Sequence, residues 1–218
     1  MNDLQLNPEE ARVIAVLVEK SITTPQYYPM TANAIMAAAN QKTSRHPVMS
    51  LSEGEVGNTL TRLEELKLVV RDSFSGRAQK WRQQFQHQML LKPQAQAVLA
   101  TLMLRGAQTV AELRANAAGL GGPADAVALN AALVDLADRA QPLVVELARA
   151  PGQAATRWAH TLSGMPQGEV VAEPAPAGQA TPRTADPTAL TTRIDALEAR
   201  VAELEKQLGL APDTPVAD

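Results

Sequence analysis

The sequence predicts an α+β, mainly helical fold: two winged helix-turn-helix modules in tandem, a Pro/Ala-rich linker and a short C-terminal coiled-coil helix. Three observations predict it. Aromatic residues make up 3 % of the 218 residues and apolar residues 45 %, so the core must be built from Leu, Val and Ala, which favours helices. The order helix, helix, helix, strand, turn, strand can be read twice along the chain. Trp81 and Phe85 recur 77 residues later as Trp158 and Leu162, and the triplet at Leu68 recurs 75 residues later at Leu143. A turn two residues longer accounts for the difference. Three helices followed by a hairpin is the winged elaboration of the helix-turn-helix reader.

The elements of the first module follow from local chemistry. Asn7-Pro8-Glu9-Glu10 has an N-cap, a proline for the first helical position and a glutamate for a capping box. Ile14, Leu17 and Val18 then share one helical face. Thr24-Pro25 and Tyr28-Pro29 break the chain, and a second helix runs from Thr31 to about Gln41. Residues 42–50 form a loop marked by His46-Pro47. Ser52 and Glu55 make another capping box, ahead of Val56, Leu60, Leu63 and Leu66 at helical spacing. Leu68 to Arg71 is a strand, Ser75-Gly76 a turn, and Gln79 to Phe85 the returning strand, with Trp81, Gln83 and Phe85 on one face.

The second module repeats the plan. Pro93 starts a helix with Ala95, Val98, Leu99 and Leu102 inward, and Gly106 stops it. Thr109 and Glu112 cap a second helix, and a third follows Gly122-Pro123 with Leu129, Leu133 and Leu136. Leu143 to Ala148 and Thr156 to Leu162 are strands around a Pro151-Gly152 turn. From Met165 to Thr188 the chain holds five prolines and five alanines in 24 residues, a composition that cannot bury a core. Beyond it Leu190, Ile194, Leu197, Val201, Leu204 and Leu208 are spaced 4-3-4-3-4. Leucines at d with Ile194 and Val201 at a favour a parallel pair, so these six residues are the expected dimerisation seam. Arg193 and Arg200 at g match Glu198 and Glu205 at e of a partner chain. The same amphipathic helix folding back onto its own body is the alternative. The expected boundaries are 1–88 and 89–164 for the modules, 165–188 for the linker, 189–210 for the coiled-coil helix and 211–218 for a disordered tail.

Composition narrows the function. Cysteine is absent, which excludes disulfides, thiolate metal sites and a Cys nucleophile. The run Val13 to Val18 is too short to span a bilayer and Met1-Asn2-Asp3 is not basic, so a cytoplasmic protein without membrane contact is expected. The net charge of −3 is concentrated in the tail: residues 165–218 carry four basic and nine acidic side chains, and each module is net +1. His46, His87 and His160 lie far apart and lack metal-ligand spacing. Glu64 and Glu65 are adjacent on a helix and point apart. Ser163-Gly164 lacks the strand-turn-helix setting of a nucleophile elbow, and no phosphate-cradling glycine loop is present. No catalytic role, metal or cofactor is expected.

The stretch from Asn40 to Ser52 closely resembles the motif of the YceH-like family of uncharacterised bacterial proteins. So do Glu10-Ala11-Arg12-Val13-Ile14, Thr24-Pro25 with Tyr28-Pro29, and the run from Leu104 to Thr109. The resemblance covers residues 4–164 and the C-terminal coiled segment. It implies tandem winged helices and supplies no activity.

The residues themselves point to duplex DNA as a partner of the first module. Its third helix offers Asn58, Thr59, Thr61 and Arg62 to the major groove, although Glu53, Glu55, Glu64 and Glu65 oppose phosphates. The hairpin adds Arg71, Arg77, Lys80 and Arg82 against Asp72, and the preceding loop adds Lys42, Arg45 and His46. The third helix of the second module, Asp125 to Asp135, is apolar on more than one face and has no basic residue before Arg139, so it is assigned to packing or to an unknown protein partner. Only Arg149 and Arg157 could touch phosphate from that half. Two functions follow: a dimeric DNA-binding regulator working through the first module, or a winged-helix scaffold for protein partners.

Overall fold

A computed structural model describes residues 4–73, 78–149 and 155–165. The expected turns at Ser75-Gly76 and Pro151-Gly152, Arg77, the linker beyond Met165, the heptad seam and the tail fall outside the described residues.

The chain is α+β, with seven α-helices and two small sheets among the described residues. In chain order they are α1 Pro8–Thr23, β1 Met30–Thr31, α2 Ala32–Ala39, α3 Glu53–Glu65, β2 Val69–Arg71, β3 Lys80–Gln83, α4 Phe85–Gln88, α5 Pro93–Arg105, α6 Val110–Ala117, α7 Ala126–Ala137, β4 Val144–Leu147 and β5 Arg157–His160. All three expected capping boxes form. Asn7, Ser52 and Thr109 each accept from the backbone N–H of the glutamate three residues on, whose carboxylate returns to the cap. Each box satisfies helix N–H groups that would otherwise be orphaned, contributing about 1 kcal/mol. Gly106 ends α5 at φ 74, the backbone region that glycine adopts without cost.

The sheets differ from expectation in two places. β1 is a third strand: the first sheet runs β1-β3-β2, all antiparallel, with Met30 opposite Trp81 and Val69 opposite Gln83. Two residues are too few to show periodicity. In the second half a single bridge takes the same place, Gln108 exchanging both backbone hydrogen bonds with Trp158. The two tryptophans of the repeat therefore have equivalent pairing partners. The second departure is Phe85, expected on the returning strand. β3 ends at Gln83, Gln84 N–H bonds Leu68 O at 2.8 Å, and Phe85 opens α4 while staying buried.

One hydrophobic core runs through both halves. Its centre is α1 against α5. Nine consecutive residues of α1, Glu10–Val18, are buried, because α2 and α3 pack on one side and α5 on another. α5 is buried without a break from Ala95 to Leu104. Both stretches are apolar except for the buried Glu10, Arg12, Gln96 and Thr101, and Ala11, Ala15, Ala97 and Ala100 keep these two helices thin enough to pack closely. Each fully buried Leu, Ile or Val contributes about 1.5–3 kcal/mol. The segment before α1 also crosses to the second half: Leu6 N–H bonds Leu162 O at 2.7 Å, and Leu4 exchanges two hydrogen bonds with the Gln141 side chain.

Candidate nucleic-acid interface

The loop between α2 and α3 is held from several sides. Asn40 stops α2 before Gln41, because its side chain clasps the backbone of Leu51, donating to the carbonyl at 2.7 Å and accepting from the N–H at 2.8 Å. Arg12 is buried on α1 and donates to Ala39 O at 3.2 Å and Pro47 O at 2.7 Å, with no partner for Nε among the described residues. Burial, reinforced by the charge of Arg45, lowers the Arg12 pKa to about 10, so it remains a cation at neutral pH. His46 N–H reaches across to Leu104 O at 2.8 Å, and Arg105 donates to Ser44 Oγ at 2.7 Å.

Arg45 corrects the sequence reading. It was expected at the protein surface as a phosphate contact, and its side chain is fully buried. Nη1 and Nη2 grip the two oxygens of Glu19 at 3.1 and 2.6 Å, and further donors go to Ala38 O, Ser44 O and Gln41 Oε1. Burial pushes the Glu19 carboxyl up, but the hydrogen bonds and charge of Arg45 outweigh it, and the pKa lies below its ordinary value. No donor of this guanidinium is left for DNA. Thr59 is likewise buried on the inner face of α3.

The remaining described candidates lie on α3, on β2 and β3, and on the loop between α2 and α3. Asn58 and Thr61 are exposed on α3, and Thr61 Oγ1 donates back to Gly57 O at 3.1 Å. Arg62 is exposed and paired with Glu65 at 3.1 Å, with Glu10 at 4.0 Å. Arg71 pairs with Glu64 at 2.9 Å and stacks its guanidinium 5.2 Å from the Trp81 ring centroid. Arg82 pairs with Asp72 at 2.8 Å. Lys42 is exposed and Lys80 half-buried, and neither has an ion pair among the described residues. The pairing makes the face close to neutral, and the exposed Glu53 and Glu55 in the first turn of α3 offset the two lysines. The Arg62–Glu65 and Arg71–Glu64 pairs are exposed and worth at most about 1 kcal/mol, so these two arginines can exchange carboxylate for phosphate at small cost, whereas Asp72 in the Arg82 pair is largely buried.

Two glycines of α3 were not singled out from the sequence. Gly54 and Gly57 stand in the first half of α3, and a Cβ at either would meet nothing within 4 Å. Glycine in a helix interior costs about 0.8–1 kcal/mol relative to alanine. Among the described residues no close packing requires either one; Gly54 is exposed and Gly57 half-buried. An isolated glycine in a helical pattern was the available signal.

In the second half, α7 buries Leu129, Leu133 and Leu136 and turns Val127 and Val134 outward at 81 % and 59 % exposure. Among the described residues no helix is long and apolar enough to cross a membrane, and no three His, Asp or Glu side chains are grouped as a metal site.

Comparison with known proteins gives a family. The profile of DUF480, described as a protein of unknown function, matches residues 6–153. A UPF0502 protein of Burkholderia cenocepacia is 41 % identical over 219 residues, spanning 97 % of this chain and 92 % of that protein. A UPF0502 protein of Paraburkholderia phymatum is 40 % identical over 95 % of this chain and 91 % of its own length. One from Geobacter sulfurreducens is 39 % identical over 94 % of this chain and 90 % of its own length.

Proposed function

The chain belongs to the DUF480 family, also known as UPF0502, and we propose that it is a tandem winged-helix protein that binds duplex DNA through the outer face of α3 and the β2–β3 hairpin. The observation that carries the reading is the bare backbone at Gly54 and Gly57 beside the exposed Asn58 and Thr61. A helix that must approach a groove closely gains from lacking side chains there, and the neighbouring amide and hydroxyl can reach base edges. Lys80 on β3 and the exposed Lys42 of the α2–α3 loop are the proposed phosphate contacts. Two copies joined through Leu190, Ile194, Leu197, Val201, Leu204 and Leu208 would present two such faces to one duplex.

The test is duplex affinity measured across salt concentrations. Lys42 and Lys80 as two phosphate contacts give a log–log slope of roughly −2 at about −0.9 per phosphate. Charge reversal at Lys80 and Arg82 lowers the affinity. A slope near zero, or no binding at low salt, overturns the reading.

Gly57→Ala separates function from stability. It is expected to raise stability by about 0.5–1 kcal/mol and to weaken duplex binding. Urea unfolding and DNA titration of one variant check both signs, and unchanged affinity removes the role given to the bare backbone.

The second reading, a scaffold for protein partners, is favoured by the exposed Val127 and Val134 of α7. It becomes the better account if the chain ignores duplex DNA at every salt concentration.

A further inference from the structure

A cleft of about 250 Å3 lies between the loop at Ser44–His46, the end of α5 and the start of β5. Its lining is mostly polar. Two guanidiniums reach it from different elements, Arg105 from the last turn of α5 and Arg157 from β5. Neither forms an ion pair among the described residues. Arg105 donates to Ser44 Oγ at 2.7 Å, and Arg157 donates to Ala107 O. A guanidinium has five N–H donors, so most of these ten remain uncommitted. The lining holds one carboxylate outside the Arg45–Glu19 pair, that of Glu112. Its Oε2 accepts from Thr109 N–H at 2.9 Å and Thr109 Oγ1 at 3.0 Å in the cap of α6, and those bonds, with the charge of Arg157, hold the carboxyl below its ordinary pKa.

The donors are fixed in place before any ligand arrives. Gln108, 4 % exposed, donates from Nε2 to Thr101 O and Gly106 O. Its Oε1 accepts from Asn116 Nδ2 at 2.7 Å, which orients that amide at the cleft wall. Ser44 sits in the left-handed region at φ 60, with its hydroxyl held against Arg105. Gly106 is required beneath the loop, because a Cβ there would lie 3.2 Å from the His46 ring. Fixed donors cost little ordering when a ligand binds.

We infer that this cleft binds a small phosphate-bearing ligand, with Arg105 and Arg157 gripping the phosphate and Ser44 and Asn116 adding neutral donors. Two guanidiniums arriving from separate elements suit the several oxygens of a phosphate, whereas one planar carboxylate is satisfied by one guanidinium edge. The volume is several times the ~30 Å3 share of a water molecule, so it admits a small ester beyond the phosphate itself. Ser44 and His46 belong to the first half of the chain and Arg105 and Arg157 to the second, so the ligand would bridge the contact between halves. The inference does not depend on duplex binding.

The test is an NMR titration of the full chain with inorganic phosphate at constant ionic strength, following the arginine Nε–H and asparagine side-chain signals. Saturable shifts at Arg105, Arg157 and Asn116 are expected. Arg105→Gln and Arg157→Gln should each weaken binding at least about tenfold, the 1.4 kcal/mol of one charge-assisted contact. Arg114→Gln, at an exposed position on α6 outside the cleft, should leave it unchanged. Among the described residues the Arg105 side chain hydrogen-bonds only the exposed Ser44 hydroxyl, so its variant keeps the test valid if Arg157→Gln fails to fold. Shifts that stay linear, or saturable binding that survives Arg105→Gln, overturn the inference. So does a short duplex that moves the Arg157 signal when inorganic phosphate does not.

Discussion

Replacing Arg45 with methionine is expected to remove about 3–5 kcal/mol of folding stability, the range for breaking one side of a buried ion pair. Methionine preserves much of the volume, so the loss reports polar groups left unpaired. The Glu19 carboxylate would keep its partly buried position without its bidentate partner. Ala38 O and Gln41 Oε1 would lose donors at the same time. Lysine is a poor substitute, because one ammonium cannot reproduce the fork that serves Glu19 and Ala38 together. Urea unfolding checks the prediction: the midpoint falls and the slope stays constant. Arg45→Met combined with Glu19→Leu should recover part of the loss, since no orphaned charge remains. A single-variant loss below about 1 kcal/mol would show that the pair is not structural.

The second large effect is a pH dependence set by His160. Burial holds its folded pKa at about 4, below the ordinary 6.5, and Nδ1 is buried with no hydrogen-bond partner among the described residues. Below pH 6.5 the unfolded chain takes up a proton that the folded chain refuses, so unfolding gains from acid. The contribution is intact above pH 6.5 and is lost as pH falls toward 4. At pH 5 the loss amounts to about 2 kcal/mol, at roughly 1.36 kcal/mol per unit. His160→Phe keeps a ring and removes the titration, so its stability should be flat from pH 7 to pH 5. An equal decline in both proteins would assign the effect elsewhere. Glu19, whose folded pKa is depressed, loses its stabilising contribution at lower pH, as acidity passes its ordinary value and then its folded one.

What the sequence revealed was local. The capping boxes at Asn7, Ser52 and Thr109 involve partners three residues apart, and spacing alone locates them. Leu129, Leu133 and Leu136 follow helical periodicity and are buried. The paired triplets and tryptophans pointed to equivalent elements: Leu68 and Leu143 are both buried, and Trp81 and Trp158 take equivalent pairings. What stayed hidden depends on distant partners. The ring of burial around α1 arises from α5, so one apolar face was visible where the structure buries the whole turn. Arg45 read as a loop cation because Glu19 lies 26 residues away. Arg105 and Arg157 meet only because Gln108 and Trp158 bridge the strand edge between them. Local pattern carries no record of such pairings.

The central position of α1 links the folding of the two halves. Its Ala11–Val18 stretch belongs to the shared core, so separating the second half would expose part of it to water. Neither half then has a low-energy way to open alone. Amide hydrogens of α1 and α5 should exchange with deuterium only when the whole described core unfolds, and at one common free energy. A destabilised position at the Arg45 loop would therefore speed exchange at Ile14 on α1 and at Leu102 on α5 alike.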